Sequence, residues 1–262
     1  IGTAAPDAEQ KAAVPHHFVG ILDLDEPYSA ARFESDVLAL LPQLWKSSPY
    51  AIMCGGSMMY IDAVVNGIDD LPEISPENRR AATDLYLTGG IEAIRSRLRL
   101  LDPAYYDCVD INNHKRIIHA IEISLQAGVP YSSLRTGVKR KRDFDIIKFA
   151  LDYPRDRLFC RINRRVEAMI AAGWEKEAEK VYPQRHLNSL NTVGFKELFA
   201  MMDGKMDRQT ALARIAKNTR VYAKKQLTWM KKSSDIHMLQ PETALQTALN
   251  IIADENNRHH PM

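Results

Sequence analysis

The sequence predicts an α/β fold in which a parallel-sheet core carries a helical insert and a helical C-terminal part. Three observations predict it. Residues 50–54, YAIMC, form a short apolar run that passes through Gly55, Gly56 and Ser57 into an apolar segment of helical spacing at 58–65. Strand, glycine turn and helix in that order is the unit from which parallel α/β sheets are built, with ligands at the carboxyl ends of the strands. Residues 69–113 change to Pro, Asp and Arg punctuation with short helical pieces, which reads as an insert rather than more sheet. From 174 to 254 the apolar residues keep a helical period. The expected organisation is a core of residues 1–68 and 114–262 interrupted by an insertion domain at 69–113.

Taken in order, Ser29 can cap a helix through Lys46 whose one face carries Ala30, Phe33, Val37, Leu40, Leu41 and Leu44. Pro49 precedes the strand at 50–54. A strong helix at 115–126 ends at Gly128 and Pro130, a glycine stop followed by a residue that cannot continue a helix. Residues 139–142, KRKR, read as a solvated basic loop. DIIKFALDY at 145–153 supplies a second strand, and Pro154 suits the first turn of a helix that runs to Gly173.

Hydrophobic residues at 45% and charged residues at 26% are ordinary globular values, so no disordered or fibrous class is indicated. The net charge of +2 conceals an uneven placement, since residues 135–165 hold eleven Lys or Arg against four Asp. Local field therefore matters more than the sum. Cys54, Cys108 and Cys160 are too widely spaced for a metal knuckle or a disulfide framework, and a reduced cytoplasmic setting is expected. The most apolar run, 50–65, is broken by Gly55, Gly56 and Asp62 and is too short to cross a bilayer, so no membrane partner is expected. His16 and His17 have no carboxylate at helical spacing and make no recognisable metal site.

Residues 214–232, RIAKNTRVYAKKQLTWMKK, carry seven Lys or Arg and no acid, with Tyr222, Gln226, Thr228 and Trp229 among them. Cations bind phosphates, aromatic rings stack on unpaired bases, and amides and hydroxyls bond base edges, so this helix has the parts of an RNA-facing surface. The same residues also fit a solvated helix with Ile215, Tyr222 and Trp229 as an inward stripe.

Read in register, IGTAAP at Ile1, PHH at Pro15, GGSMMY at Gly55, DP at Asp102, RIIHAIE at Arg116, RINRRVEAMIAAGW at Arg161, VGFKE at Val193 and AKKQLTWM at Ala223 match one pattern. The chain resembles the bacterial tRNA dimethylallyltransferases over nearly its whole length. The resemblance implies a P-loop NTPase-like core and transfer of a dimethylallyl group from dimethylallyl diphosphate to N6 of the adenosine 3′ of the anticodon. It also implies Mg²⁺ beside the diphosphate, the tRNA anticodon stem-loop as partner and a monomeric protein. The target adenine must leave its stack to react. By resemblance Arg161 is the diphosphate-binding arginine and Ser57 a second catalytic residue that bonds the target nucleotide, with Gly55 and Gly56 letting the backbone approach a ligand. Arg79, Lys115, Arg116, His119, Asn191, Val193, Gly194, Lys196, Arg220, Lys224, Lys225, Gln226, Thr228, Trp229 and Lys231 align with tRNA-contacting positions.

The departures are informative. The GxxxxGK[ST] loop and the Asp-Ser pair that precede IGTA in the family do not occur in this sequence, and the native protein is expected to continue upstream of Ile1 with both. Ser57 stands where Thr is usual, His119 and Lys225 where Arg is usual, and Asn113 where Asp is usual. Three rivals stay open on these residues: an enzyme that prenylates free adenine nucleotides, a non-catalytic RNA-binding protein, and a small-molecule or nucleotide kinase.

Overall fold

A computed structural model describes residues 1–259. In chain order the elements are α1 (Ala8–Ala13), α2 (Ala30–Leu44), α3 (Met58–Asn66), α4 (Pro76–Leu101), α5 (Pro103–Tyr106), α6 (His114–Ala127), α7 (Tyr131–Leu134), β1 (Lys148–Leu151), α8 (Arg155–Ala171), α9 (Trp174–Val181), α10 (Phe195–Met202), α11 (Arg208–Met230), β2 (Ile236–Leu239) and α12 (Ala244–His259). Side-chain caps start several of them. Ser29 Oγ accepts the Arg32 N–H at 3.1 Å, Ser75 Oγ that of Asn78 at 3.2 Å and Asp207 Oδ1 that of Thr210 at 2.8 Å. Two compact units result: Ser29–Phe144, and Ile1–Tyr28 with the chain from Asp145 onward. The segment 69–113 lies inside the first of these units, together with α2, α3 and α6.

In the Ser29–Phe144 unit, α4 packs along α6. Ile117, Ala120 and Ile121 recur at the helical spacing and close a core with Ala82, Ile94, Leu98 and Tyr105. Each fully buried Ile or Leu there contributes about 1.5–3 kcal/mol. The short helical pieces expected at 69–113 are the two stretches of α4, which meet at a break in helical geometry at Gly90 (φ 65°, ψ −163°), and α5. Asp102 is fully buried, and all its hydrogen bonds are structural. Its Oδ1 accepts the Tyr105 N–H at 2.9 Å and the Ser132 hydroxyl at 2.7 Å, and its Oδ2 accepts the Ser132 N–H at 2.6 Å. The Asp-Pro signature thus starts α5 and pins α7.

The basic loop at 139–142 is not simply solvated. Glu34 lies on the buried face of α2, and Arg142 reaches it at 2.6 Å while its guanidinium also donates to the carbonyls of Val64 and Ala63, both at 2.8 Å, near the end of α3. A cation stabilises this buried acid, and the loop supplies Arg142, with Arg140 3.8 Å away as well.

The second unit contains the only sheet among the described residues, with β1 parallel to β2 in the register Lys148↔Ile236 to Leu151↔Leu239. The strand expected at 145–153 forms at its centre. The strand expected at 50–54 does not form: those residues join no ladder among the described residues, and Ile52 is 93% exposed. A strand exists only as half of a ladder, and no partner ladder is present for this run among the described residues. Conversely β2 lies in a region expected to be wholly helical, where four residues are too few to display a period of two. Val166, Trp174, Ala178, Leu190, Phe195, Leu198, Phe199 and Ile215 form this unit's core, so α8, α9, α10 and α11 share one apolar centre. The inward stripe of α11 holds only in its first half, because Ile215 is buried whereas Trp229 is half-buried and Tyr222 exposed.

Candidate functional site

The expected site residues fall in both units, and each group is described within its own. In the Ser29–Phe144 unit, Ser57 occupies the N-cap position of α3 without making a side-chain cap bond, and is exposed. Gly55 and Gly56 lead into it. Neither has a positive φ, so the glycine turn does not require left-handed backbone; open space surrounds the position where a Cβ on Gly55 would stand. Lys115, Arg116 and His119 are exposed on α6, with His119 Nδ1 3.9 Å from Glu122 and its ring edge-on to Tyr131 at 5.9 Å. Arg79 is exposed on α4 but lies away from Lys115 and Arg116. Asn78 bonds Gln126 at one end of the helix pair and Tyr86 stacks on His114 at the other, a separation of roughly 10 Å along α4.

In the other unit three separate segments meet. The first is α8, which presents Arg157 and Arg161 towards Tyr153, with the guanidinium carbons 5.9 and 4.8 Å from its ring centre. The turn of helix beside them presents Arg155, Phe159 and Asn163 at four-residue intervals. The second is α11, whose Arg220 donates to Asn163 at 2.6 Å, with Arg220 and Lys224 standing 5.9 and 5.6 Å over the Phe159 ring. Further along, Val221, Lys224, Lys225, Thr228, Trp229 and Lys232 line a shallow recess of about 330 Å³. Lys231 is exposed just beyond the helix, and Gln226 is half-buried.

The third segment is the loop before α10 together with that helix's first turn. Asn191 and Lys196 are exposed, Val193 is half-buried and Gly194 is buried at φ 102°, ψ −65°. Only glycine suits that turn, since a Cβ there would meet the indole of Trp174 at 2.0 and 2.1 Å. Glu197, buried beneath the loop, accepts the Gly194 N–H at 2.7 Å and the side-chain amide of Asn218 on α11 at 2.7 Å. The loop is thereby fastened to α11, and α11 through Arg220 and Asn163 to α8.

Charge at this surface is arranged in a specific way. Arg157 is neutralised by Glu242 at 2.7 Å, and Arg208 by Glu175 at 2.8 Å. No carboxylate pairs with Arg161, Arg220 or Lys224 among the described residues; aromatic rings and a neutral amide hold them instead. An aromatic face positions a cation without cancelling its charge, which leaves the charge available to an anion. Sequence reasoning misses Tyr153, Phe159, Asn163, Glu197 and Asn218. The i, i+4 spacing of Arg155, Phe159 and Asn163 on one helix, matched by Arg220 and Lys224 on another, is the signal that could have found two of them, Phe159 and Asn163.

The family model described as IPP transferase matches residues 1–233. The chain belongs to the IPP transferase family. It is 50% identical to tRNA dimethylallyltransferase 2 of Parabacteroides distasonis over 242 residues, which cover 92% of this chain and 81% of that protein. It is 49% identical to tRNA dimethylallyltransferase 1 of Phocaeicola vulgatus with the same coverage. Among solved structures, the tRNA isopentenylpyrophosphate transferase of Bacillus halodurans superposes with a TM-score of 0.68 at 28% identity, over 99% of this chain and 86% of that one. A eukaryotic dimethylallyltransferase acting on tRNA superposes with a TM-score of 0.75 at 22% identity, over 96% and 67%, a likeness of fold. The family's fold class, α/β, accords with the helix-rich chain and its small parallel sheet. No helix among the described residues is long and apolar enough to cross a membrane.

Proposed function

We propose that this IPP transferase family member transfers a dimethylallyl group from dimethylallyl diphosphate to N6 of the adenosine 3′ of the anticodon in tRNA, releasing diphosphate. The observation that carries the reading is the hydrogen-bonded frame that joins the loop 191–194 and the start of α10 to α11 and α8. It gathers cations unpaired by acids, stacking rings and polar side chains from three distant stretches of sequence onto one unit. Relatives named for this activity on tRNA support the choice of acceptor over a free nucleotide.

In the reaction, N6 of adenine forms a bond to the allylic carbon as the carbon–oxygen bond to diphosphate breaks, and N6 loses a proton to a base. Charge grows on the departing diphosphate, and the role proposed for Arg161 is to receive it. Its guanidinium can make two parallel bonds to diphosphate oxygens, and Tyr153 beneath it limits its freedom. Ser57 is proposed to bond the target nucleotide and the glycines before it to let the RNA approach. Lys115, Arg116, His119 and Arg79 would contact the RNA from their unit, and Asn191, Val193, Gly194, Lys196, Arg220, Lys224, Lys225, Gln226, Thr228, Trp229 and Lys231 from theirs. The proton acceptor is not assigned to a residue of this chain.

A P-loop NTPase-like core, monomeric action and a cytoplasmic setting belong to the same proposal; the free Cys54, Cys108 and Cys160 accord with a reducing compartment. For Mg²⁺ the described side chains offer no cage, since no three His, Cys, Asp or Glu gather. Magnesium is proposed as a companion of the diphosphate oxygens, whose negative charge it would share.

The test is Arg161→Ala in prenyl transfer with both substrates varied, beside a tRNA binding titration. Turnover should fall by roughly 10²–10³, the effect of removing one preorganised charge-stabilising donor, while tRNA affinity stays within about twofold. Wild-type turnover, or a loss confined to tRNA affinity, removes Arg161 from the reacting centre.

A further inference from the structure

Glu197 is a carboxylate placed where chemistry disfavours one. It is buried among Phe195, Leu198, Phe199 and Ile215 of the unit's core, and no cation reaches it among the described residues. A buried acid without a counter-ion costs several kcal/mol unless hydrogen bonds to it are strong. Capping α10 alone does not explain it, because an exposed Ser or Asp caps a helix without that cost, as Ser29 and Asp207 do in this chain. What a carboxylate offers here is two acceptor oxygens facing different ways. One takes the Gly194 N–H, in the loop before α10, and the other takes the Asn218 amide, on α11. A glutamine accepts through one oxygen only, and it keeps both contacts only if the Asn218 amide turns its own oxygen towards the new NH2 group.

We infer that Glu197 is the positioning residue of the RNA-facing surface: it fixes the loop 191–194 and the first turn of α10 against α11, so that Asn191 and Lys196 keep one register with Arg220 and Lys224. The inference rests on the proposed tRNA reading for what the surface binds. The junction itself stands on the geometry. Asn218 is two residues from Arg220, so a shift of the loop relative to Asn218 is a shift relative to the cations that Asn163 and Phe159 hold. RNA phosphates and bases have fixed spacings, so affinity needs both halves in register.

The experiment uses Glu197→Leu, which removes both acceptor oxygens, Asn218→Ala, and the swapped pair Glu197→Gln with Asn218→Asp. In the swap the glutamine oxygen accepts the Gly194 N–H and its amide donates to the new aspartate, so both bonds and the buried charge return. Hydrogen exchange at the Gly194 amide, thermal stability, and KM and kcat for tRNA are measured on each. Glu197→Leu should raise KM for tRNA roughly tenfold with kcat at saturation nearly unchanged, and should speed Gly194 exchange. Asn218→Ala should raise KM with the Gly194 amide still protected, and the swap should bring KM back to within about threefold of wild type. A single variant that loses thermal stability but keeps the wild-type KM, or a swap that recovers neither amide protection nor KM, overturns the inference. If the unaltered protein transfers no prenyl group to tRNA, the functional reading fails instead, while exchange at Gly194 still decides whether Glu197 ties the loop to α11.

Discussion

Replacing Gly194 by alanine tests the loop geometry most directly. The residue holds φ 102° and ψ −65°, a region closed to L side chains, which costs about 1–3 kcal/mol. The added methyl would stand 2.0 Å from Cζ2 and 2.1 Å from Cη2 of Trp174, and that ring is itself 3% exposed with Phe195 edge-on against it. Overpacking a site that cannot give adds about 1–3 kcal/mol more. Together the substitution should cost about 4 kcal/mol, which for a chain of this size lowers the melting temperature by roughly 8–16 °C. Thermal unfolding followed by circular dichroism measures it. A double-mutant cycle with Trp174→Leu separates the two causes, since removing the ring should return the steric part and leave the backbone part. A Gly194→Ala protein melting within about 2 °C of wild type would show that the loop does not hold this conformation in solution, and the frame built on it would fall with it.

Replacing Lys224, Lys225 and Lys231 together should flatten the salt dependence of anticodon stem-loop binding by up to about three units of slope, roughly one for each phosphate that is no longer neutralised; an unchanged slope means these lysines only face solvent. Asp102→Ala should destabilise the Ser29–Phe144 unit by about 3–5 kcal/mol, because it removes three hydrogen bonds to a buried carboxylate, and urea titration followed by α-helical signal reads it. The Lys148 ammonium at 2.6 Å, and then the Ser233 hydroxyl, hold the Asp235 carboxyl at about 2, below its ordinary 3.8. A depressed folded-state value means stability that is present above about pH 4 and lost as pH falls towards 2, so Lys148→Gln should shrink the fall in melting temperature across that window.

How legible these features are depends on whether a signal is local. The helix ending at Gly128 is readable because glycine in a left-handed cap is a backbone requirement visible in one residue. The helix α8 between Pro154 and Gly173 is readable for similar reasons. The run at 50–54 misleads because apolar character reports burial, whereas strand formation depends on a partner elsewhere in the chain. The basic loop at 139–142 misleads for the opposite reason, since its charges answer a single acid, Glu34, on a helix more than a hundred residues earlier. That acid on an otherwise apolar helical stripe is the available warning.

Among the site residues, composition cannot rank one arginine above another, because each has the same charge on paper. The structure ranks them by what stands beside each head group. Arg142 beside Glu34, Arg208 beside Glu175 and Arg157 beside Glu242 have given their charge to a carboxylate and serve as struts. Arg161 over Tyr153, and Arg220 and Lys224 over Phe159, are held in place by π faces that leave the charge uncancelled. A surface that must bind a polyanion needs cations that are ordered yet unspent, since an ordered cation loses little side-chain entropy on binding and an unspent one need not first break an ion pair. Tyr153 and Phe159 meet both conditions at once. The aromatic residues between the charges therefore matter as much to recognition as the charges, even where no base stacks on them.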